Sequence, residues 1–125
     1  GAKRAMPLAV SAPFHTQMMK PAADKLAAEI EATLFSVPQV PIVHNVSAQT
    51  EANPEAIKQL MIKQIYAPVL WTDCTKTLIT AGITTAIECG PGKVLSGLCK
   101  RIDKSLTAFA TETPDAFNKA LSEAN

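Results

Sequence analysis

Residues 83–110, which read ITTAIECGPGKVLSGLCKRIDKSLTAFA, show most clearly the pattern that decides the fold class. An apolar run of strand length, Ile83 to Cys89, ends at the chain-breaking tripeptide Gly90-Pro91-Gly92. Residues 94–102 then carry apolar side chains at helical spacing, and a second short apolar run, Leu106 to Ala110, follows them. Strand-length runs that alternate with helix-period segments predict a parallel sheet with helices on its faces. The predicted fold class is therefore α/β.

The same alternation continues on both sides of this stretch. Asn53-Pro54 and Thr113-Pro114 each place a capping residue directly before a proline at the first helical position. The further predicted elements are a strand at Met6–Val10, a helix from near Thr16 to Leu34, a strand at Val40–Val46, a helix from Asn53-Pro54 to just before Pro68, a helix from Trp71 to Gly82 and a helix that starts at Thr113-Pro114-Asp115. Sheets usually have about five or six strands, so four predicted strands favour a piece of a larger sheet over a small complete domain.

The composition excludes several classes of function. The 125 residues carry 12 basic and 11 acidic side chains, a net charge of +1, which gives no electrostatic reason to bind nucleic acid or an anionic membrane. The three cysteines lack the spacing of a zinc or redox site, and the two histidines are not placed to complete one. We therefore expect no metal, reduced thiols and a cytoplasmic location. No run is long and apolar enough for a membrane span, and no signal peptide is recognisable.

His15 is the strongest candidate for chemistry on position alone. It follows a predicted strand and precedes a predicted helix, at the end of a parallel sheet where ligands usually bind. A histidine side chain also exchanges protons near neutral pH, which suits a general base. A lone histidine in such a loop is more often a polar residue at the start of a helix than a catalytic base, so position alone does not assign its role.

Four motifs narrow the choice. In order and spacing they resemble the C-terminal part of the malonyl-CoA:acyl carrier protein transacylases, and they cover essentially the whole chain. The motifs are SAPFHTQMMKPAA (residues 11–23), VHNV (43–46), KQIYAPVLW (63–71) and ECGPGKVLSGL (88–98). The short motifs Gln64-Ile65-Tyr66 and KPAAD (residues 20–24) favour the stand-alone bacterial enzymes of fatty acid synthesis. Two alternatives stay open. The chain could belong to an acyltransferase domain of a polyketide synthase, which performs the same kind of acyl transfer, or it could be a non-catalytic module that binds carrier protein.

The resemblance implies a ping-pong transfer. In the family, a serine takes malonyl from coenzyme A and passes it to the phosphopantetheine thiol of acyl carrier protein, and a histidine activates the serine and then the thiol. His15 matches that histidine, and Gln64 matches the residue whose backbone carbonyl orients it. No cofactor is implied. The implied fold is an α/β-hydrolase-like large subdomain with a ferredoxin-like small subdomain inserted in it, and residues 1–125 match the C-terminal segment of the large one.

Three positions match the substrate side of the family. Lys3 and Arg4 match a basic stretch near the entrance, where they would meet the phosphates of coenzyme A or the acidic carrier protein, although a solvated charged pair explains them equally well. Phe14 stands directly before the histidine, where the superfamily carries a bulky aromatic in enzymes that take malonyl. The alternative for Phe14 is packing alone.

The chain departs from the family in one large respect. Its 125 residues contain no G-x-S-x-G nucleophile motif. They also lack the family's glutamine-containing oxyanion loop and the arginine that binds the malonyl carboxylate. The expected partners are therefore malonyl-CoA, acyl carrier protein and the missing N-terminal part of the same enzyme, and the chain alone is predicted to be inactive.

Overall fold

The structure, a computed structural model, describes residues 1, 3, 5–6 and 10–123. The chain divides into two compact units, Gly1–Val69 and Leu70–Asn125. The predicted strand at Met6–Val10 has its middle, residues 7–9, outside the described residues, and Arg4 also lies outside them.

The first unit is built on two helices. A short 3₁₀ turn, Gln17–Met19, leads into helix α1, Lys20–Ala32, and helix α2 spans Pro54–Gln64. The two helices pack against each other through apolar residues at helical spacing, of which Ala23, Ile30 and Ile57 are buried. The core of this unit lies between them.

The bounds of α1 differ from the prediction at both ends. The first turn after Thr16 is 3₁₀ rather than α, and Pro21 lies in the first turn of the α-helix that follows. The helix ends at Ala32 instead of Leu34, because Thr33 takes an extended conformation with φ −76° and ψ 131°. Leu34 is 93% exposed, so it does not pack with the buried residues of α1.

Helix α2 begins as predicted at Asn53-Pro54. The Asn53 side-chain oxygen accepts hydrogen bonds from the backbone N–H groups of Glu55, at 2.9 Å, and Ala56, at 3.1 Å. These are donors that the first turn of a helix cannot satisfy internally.

The strand predicted at Val40–Val46 is wrong. Only Val43 pairs, in an isolated antiparallel bridge with Thr50, and the chain turns immediately after it. The carbonyl of His44 accepts from the N–H groups of Ser47 and Ala48, and this turn takes the β-branched run away from an extended path. β-Branched residues favour a strand only where a neighbouring strand can pair with them, and within the described part of the chain this run has the single bridge.

The second unit contains the α/β part of the fold. Helix α3 spans Trp71–Thr80, strand β1 Thr85–Glu88, helix α4 Val94–Ile102, strand β2 Thr107–Ala110 and helix α5 Pro114–Glu123. The two strands pair in parallel, with Thr85 opposite Thr107 and Glu88 opposite Ala110. The α/β class and the parallel pairing predicted from residues 83–110 are confirmed. Of the four predicted strands, the described residues contain these two.

The turn between β1 and α4 is fastened by a carboxylate. Gly90 and Gly92 have φ of 145° and 85°, which side chains rarely adopt, so the chain can leave the strand sharply. One Glu88 oxygen accepts from the Leu95 N–H at 3.1 Å, and the other accepts from the Ser96 N–H at 2.8 Å and the Ser96 hydroxyl at 2.6 Å. The Glu88 carboxylate thus caps α4, and the tripeptide is a strand-to-helix turn.

The three cysteines are free thiols, and Cys74 and Cys99 are buried. Burial raises the pKa of both thiols, which keeps them protonated and unreactive. Within residues 10–123 and the few described before them, no cluster of three or more His, Cys, Asp or Glu side chains could hold a metal ion. None of the helices described there is long and apolar enough to cross a membrane.

Candidate active site around His15 and Gln64

His15 lies in an exposed loop just before the 3₁₀ turn. Its φ is +58°, in the left-handed region, where non-glycine residues are uncommon and histidine is enriched among the exceptions. Residues 13–16, which we call the His15 loop, are all exposed. The imidazole is therefore accessible from solvent and is not part of the core of its unit.

Gln64 brings the other half of the site. It is the last residue of α2, so its carbonyl is one of the helix-end acceptors without an intrahelical donor. The His15 Nδ1 lies 2.8 Å from the Gln64 carbonyl oxygen, although 49 residues separate the two in sequence. The structure thus brings together the two residues that the sequence motifs single out.

This contact decides which ring nitrogen can act. A carbonyl oxygen only accepts, so Nδ1 must carry the proton and donate it. In the neutral ring the lone pair is then on Nε2, which is the nitrogen that can take a proton from a nucleophile. The carboxyl end of α2 also carries a partial negative charge, which favours the imidazolium that forms after proton transfer. No carboxylate is needed for either effect.

Two contacts join α1 to α2 or to the segment that directly follows α2, one near each end of the helix pair. Near the site, the Lys20 ammonium lies 5.3 Å from the centre of the Tyr66 ring, and Lys20 also forms an ion pair with Asp24. That hydrogen bond to Asp24 raises the pKa of Lys20, so the cation persists. At the far end, the Lys58 Nζ donates to the Glu31 carbonyl oxygen at 3.0 Å. The two helices, one preceded by the His15 loop and the other ending at Gln64, are therefore held in register.

A cavity of about 420 Å³ lies beside Gln64 in the first unit. Its wall is mainly apolar, with Phe35, Ile42, Ile57 and Met61 among its lining residues. His44 and Asn45 also line it, and backbone hydrogen bonds to the His44 carbonyl close their loop.

Two of the other predicted site residues, Phe14 and Lys3, are exposed. Phe14 is 56% exposed, so within its unit it is not a packing residue. Lys3 is exposed, and no contact in the described part of the chain joins it to His15. Sequence reasoning overlooked Thr16, whose hydroxyl bonds to Pro13 across the His15 loop. A threonine next to a candidate catalytic histidine is the signal that could have found it.

The chain is similar to bacterial transacylases over nearly all its length. It is 49% identical over 121 residues to the malonyl CoA-acyl carrier protein transacylase of Escherichia coli K12. The aligned residues cover 97% of this chain and 39% of that protein. For the Bacillus subtilis transacylase the identity is 45%, over 97% of this chain and 38% of the relative. The chain thus spans about two fifths of the length of the curated relatives it matches. No family model matches the chain.

Solved structures agree with the curated relatives. The crystal structure of the transacylase from Xanthomonas oryzae matches with a TM-score of 0.88 at 47% identity, over 93% of this chain and 37% of that one. A malonyl-transacylase solved in complex with its type II polyketide synthase acyl carrier protein matches with a TM-score of 0.92 at 46% identity, over 98% of this chain and 40% of that one. The chain shares its fold with part of these enzymes.

Proposed function

We propose that this chain supplies the general base of a malonyl CoA-acyl carrier protein transacylase. The chain is similar over nearly its whole length to part of these enzymes, and this similarity confirms the resemblance seen in its motifs. The observation that carries the proposal is the 2.8 Å contact between His15 Nδ1 and the Gln64 carbonyl oxygen. It fixes the tautomer that leaves Nε2 free to accept a proton. His15 is the proposed catalytic residue, and the backbone of Gln64 orients it.

The proposed reaction has two half-reactions. In the first, Nε2 of His15 takes the proton of a serine hydroxyl, the serine oxygen attacks the malonyl thioester, and the new ester forms as the carbon–sulfur bond to coenzyme A breaks. The imidazolium returns its proton to the coenzyme A thiolate. In the second, the same nitrogen takes the proton of the carrier protein's phosphopantetheine thiol, whose sulfur displaces the serine oxygen, and the serine is protonated again.

The serine must come from outside this sequence. The 125 residues contain no G-x-S-x-G motif, and the relatives are about two and a half times as long as the segment they share with the chain. We therefore assign residues 1–125 to the C-terminal segment of the large subdomain. The nucleophile and the ferredoxin-like small subdomain belong to the remaining length. On this assignment the chain alone is inactive.

The substrate side of the proposal is simple. Malonyl-CoA and acyl carrier protein are the substrates, no cofactor takes part, and the three free thiols suit a cytoplasmic enzyme. Phe14 would border the acyl group because it precedes His15 in an exposed loop. Lys3 and Arg4 would meet the phosphates of coenzyme A or the acidic carrier protein.

The test is reconstitution. The chain is mixed with a polypeptide that carries the serine-bearing segment of a transacylase, and malonyl transfer to holo acyl carrier protein is measured. His15→Ala should lower the rate about 10²- to 10⁴-fold, the usual contribution of a general base. Gln64→Ala is the matched control, because it keeps the backbone carbonyl, and it should lose far less.

Four results would contradict parts of the proposal. Transfer by the chain without any added polypeptide would refute the assignment of the nucleophile. A loss in Gln64→Ala as large as that in His15→Ala would show that the Gln64 side chain acts. Carrier-protein binding together with no transfer in any reconstituted mixture would favour the non-catalytic module. Faster transfer to a polyketide carrier protein than to a fatty acid one would favour the polyketide alternative.

A further inference from the structure

The His15 loop is closed by a single side-chain hydrogen bond. The Thr16 hydroxyl donates to the Pro13 carbonyl oxygen at 2.8 Å, and this bond spans Phe14 and His15. All four residues of the loop are exposed. Packing within the unit therefore does little to fix the conformation of the loop, and local hydrogen bonds must fix it instead.

The conformation that the bond closes is an unfavourable one. A left-handed backbone brings the Cβ of a residue close to the following carbonyl oxygen, so it is unfavourable at residues other than glycine. His15 has this conformation, with φ +58°, in an exposed loop where packing does not exclude other backbone conformations. Such a conformation persists only where the surrounding structure stabilises it. The described contacts that can do so are the Thr16–Pro13 bond and the His15–Gln64 bond.

Thr16 uses its hydroxyl in an unusual way for its position. It is the N-cap of the 3₁₀ turn, with φ −128° and ψ 165°, and its carbonyl accepts from the Met19 N–H at 2.9 Å. At such a position a threonine hydroxyl ordinarily accepts from the backbone N–H groups of the first turn. Here it makes no capping bond and donates backwards to Pro13 instead. The hydroxyl therefore stabilises the His15 loop and does not stabilise the helix that follows.

We propose that Thr16 is a positioning residue: its hydroxyl, by bonding to Pro13, holds His15 in the left-handed conformation from which Nδ1 reaches the Gln64 carbonyl. On this proposal Thr16 acts only through His15. The consequence for turnover rests on the proposed function, whereas the consequence for the tautomer of His15 does not. The two consequences can therefore be tested separately.

The first experiment measures the tautomer in the 125-residue chain by NMR of the His15 ring nitrogens above the pH at which the ring is protonated. Thr16→Val is nearly isosteric but has no donor, and Thr16→Ser keeps the donor. Thr33→Val is the matched control, because the Thr33 hydroxyl makes the same kind of bond, to the Glu29 carbonyl at 2.7 Å, at the far end of α1. Removal of one ordinary hydrogen bond corresponds to about a fivefold change in an equilibrium.

In Thr16→Val the ratio of bonded Nδ1–H form to the other forms should fall about fivefold, the factor for one such bond. Thr16→Ser and Thr33→Val should both keep the wild-type ratio. An unchanged ratio in Thr16→Val would overturn the proposal. An equal fall in Thr33→Val would also overturn it, because the effect would then be a general loosening of the helix.

The second experiment measures kcat and KM in the reconstituted enzyme. Thr16→Val should lower kcat in proportion to the fraction of His15 that keeps the bonded Nδ1–H form, by at most about fivefold, with KM unchanged. Thr16→Ser should restore kcat. A rise in KM at constant kcat would overturn the proposal, because it would place Thr16 in substrate binding. If the tautomer responds to Thr16 but His15→Ala costs nothing in transfer, the positioning role stands and the proposed function fails.

Discussion

The bond at the far end of the helix pair offers a quantitative test of what holds α1 to α2. Lys58 is a buried lysine, only 6% exposed, whose Nζ donates to the Glu31 carbonyl and lies 3.0 Å from a Glu55 carboxylate oxygen. Glu31 lies in the last turn of α1, so its carbonyl has no intrahelical donor. The Glu55 side chain is 76% exposed and can be solvated by water without Lys58.

Two substitutions distinguish the contribution of the Lys58 charge to stability from that of its aliphatic chain. Lys58→Met keeps a chain of similar length and removes the donor, which costs about 1.5–3 kcal/mol for a hydrogen bond from a charged group. Much of that cost is offset, because the cation of Lys58 no longer has to be buried. Loss of the exposed ion pair with Glu55 adds at most about 1 kcal/mol to the cost. Lys58→Ala removes the donor and also three buried methylenes, at about 0.8 kcal/mol each. We therefore expect Lys58→Ala to be less stable than Lys58→Met by about 2.5 kcal/mol.

The assay is hydrogen exchange of the α1 backbone amides, which follows this helix separately from the rest of the chain. Lys25→Met is the control, because it makes the same change on an exposed face of α1. It should leave exchange unchanged. Equal destabilisation by Lys58→Met and Lys58→Ala would refute the reasoning, since it would show that the charge-assisted bond alone holds the helices together.

Two further predictions concern the cap of α4 and the aromatic residue beside the proposed base. Hydrogen bonds from the Ser96 hydroxyl and, less strongly, from the Ser96 N–H hold the pKa of Glu88 below the ordinary value of 4.5. The ionised Glu88 carboxylate therefore stabilises the fold fully above pH 4.5, and this stabilisation is lost as the pH falls through the lower pKa of the folded state. As the pH falls below the ordinary value of 4.5, thermal unfolding of Glu88→Gln should therefore depend less on pH than that of the wild type. An unchanged pH dependence would show that the cap does not act through charge. In the reconstituted enzyme, Phe14→Ser should raise methylmalonyl transfer relative to malonyl without abolishing either, because one methyl group in a pocket is worth only about 1–3 kcal/mol. Competition kinetics with both thioesters would measure this, and an unchanged ratio in a folded enzyme would remove Phe14 from the acyl pocket.

Local signals predicted the second unit well. Residues 83–110 contain their own strand, turn, helix and strand, and β1 finds its partner β2 only 22 positions further along the chain, with Thr85 opposite Thr107. The helix starts at Asn53-Pro54 and Thr113-Pro114 were also correct, because each depends on a capping side chain and on a proline with a fixed φ. Nothing distant is needed for either feature.

The strand predicted at Val40–Val46 failed for the opposite reason. A β-branched run indicates that the backbone can be extended, but a strand exists only where another strand pairs with it. Within the described residues the turn after His44 supplies one bridge, to Thr50. Sequence reasoning could not see the absence of a partner, because pairing is a property of the surrounding chain.

The proposed site shows the same division between local and distant information. Patterns around His15 left its role open, and no property of the sequence near Gln64 marks its carbonyl as a hydrogen-bond acceptor. The resemblance to the transacylases named both residues, and the structure adds the physical reason for their pairing: a helix end with an unsatisfied carbonyl meets a donor on a left-handed loop. Both residues belong to the first unit, so the orientation of the base depends on contacts within that unit. A reconstituted enzyme would then need to add only the nucleophile and its binding groups to a base that is already oriented.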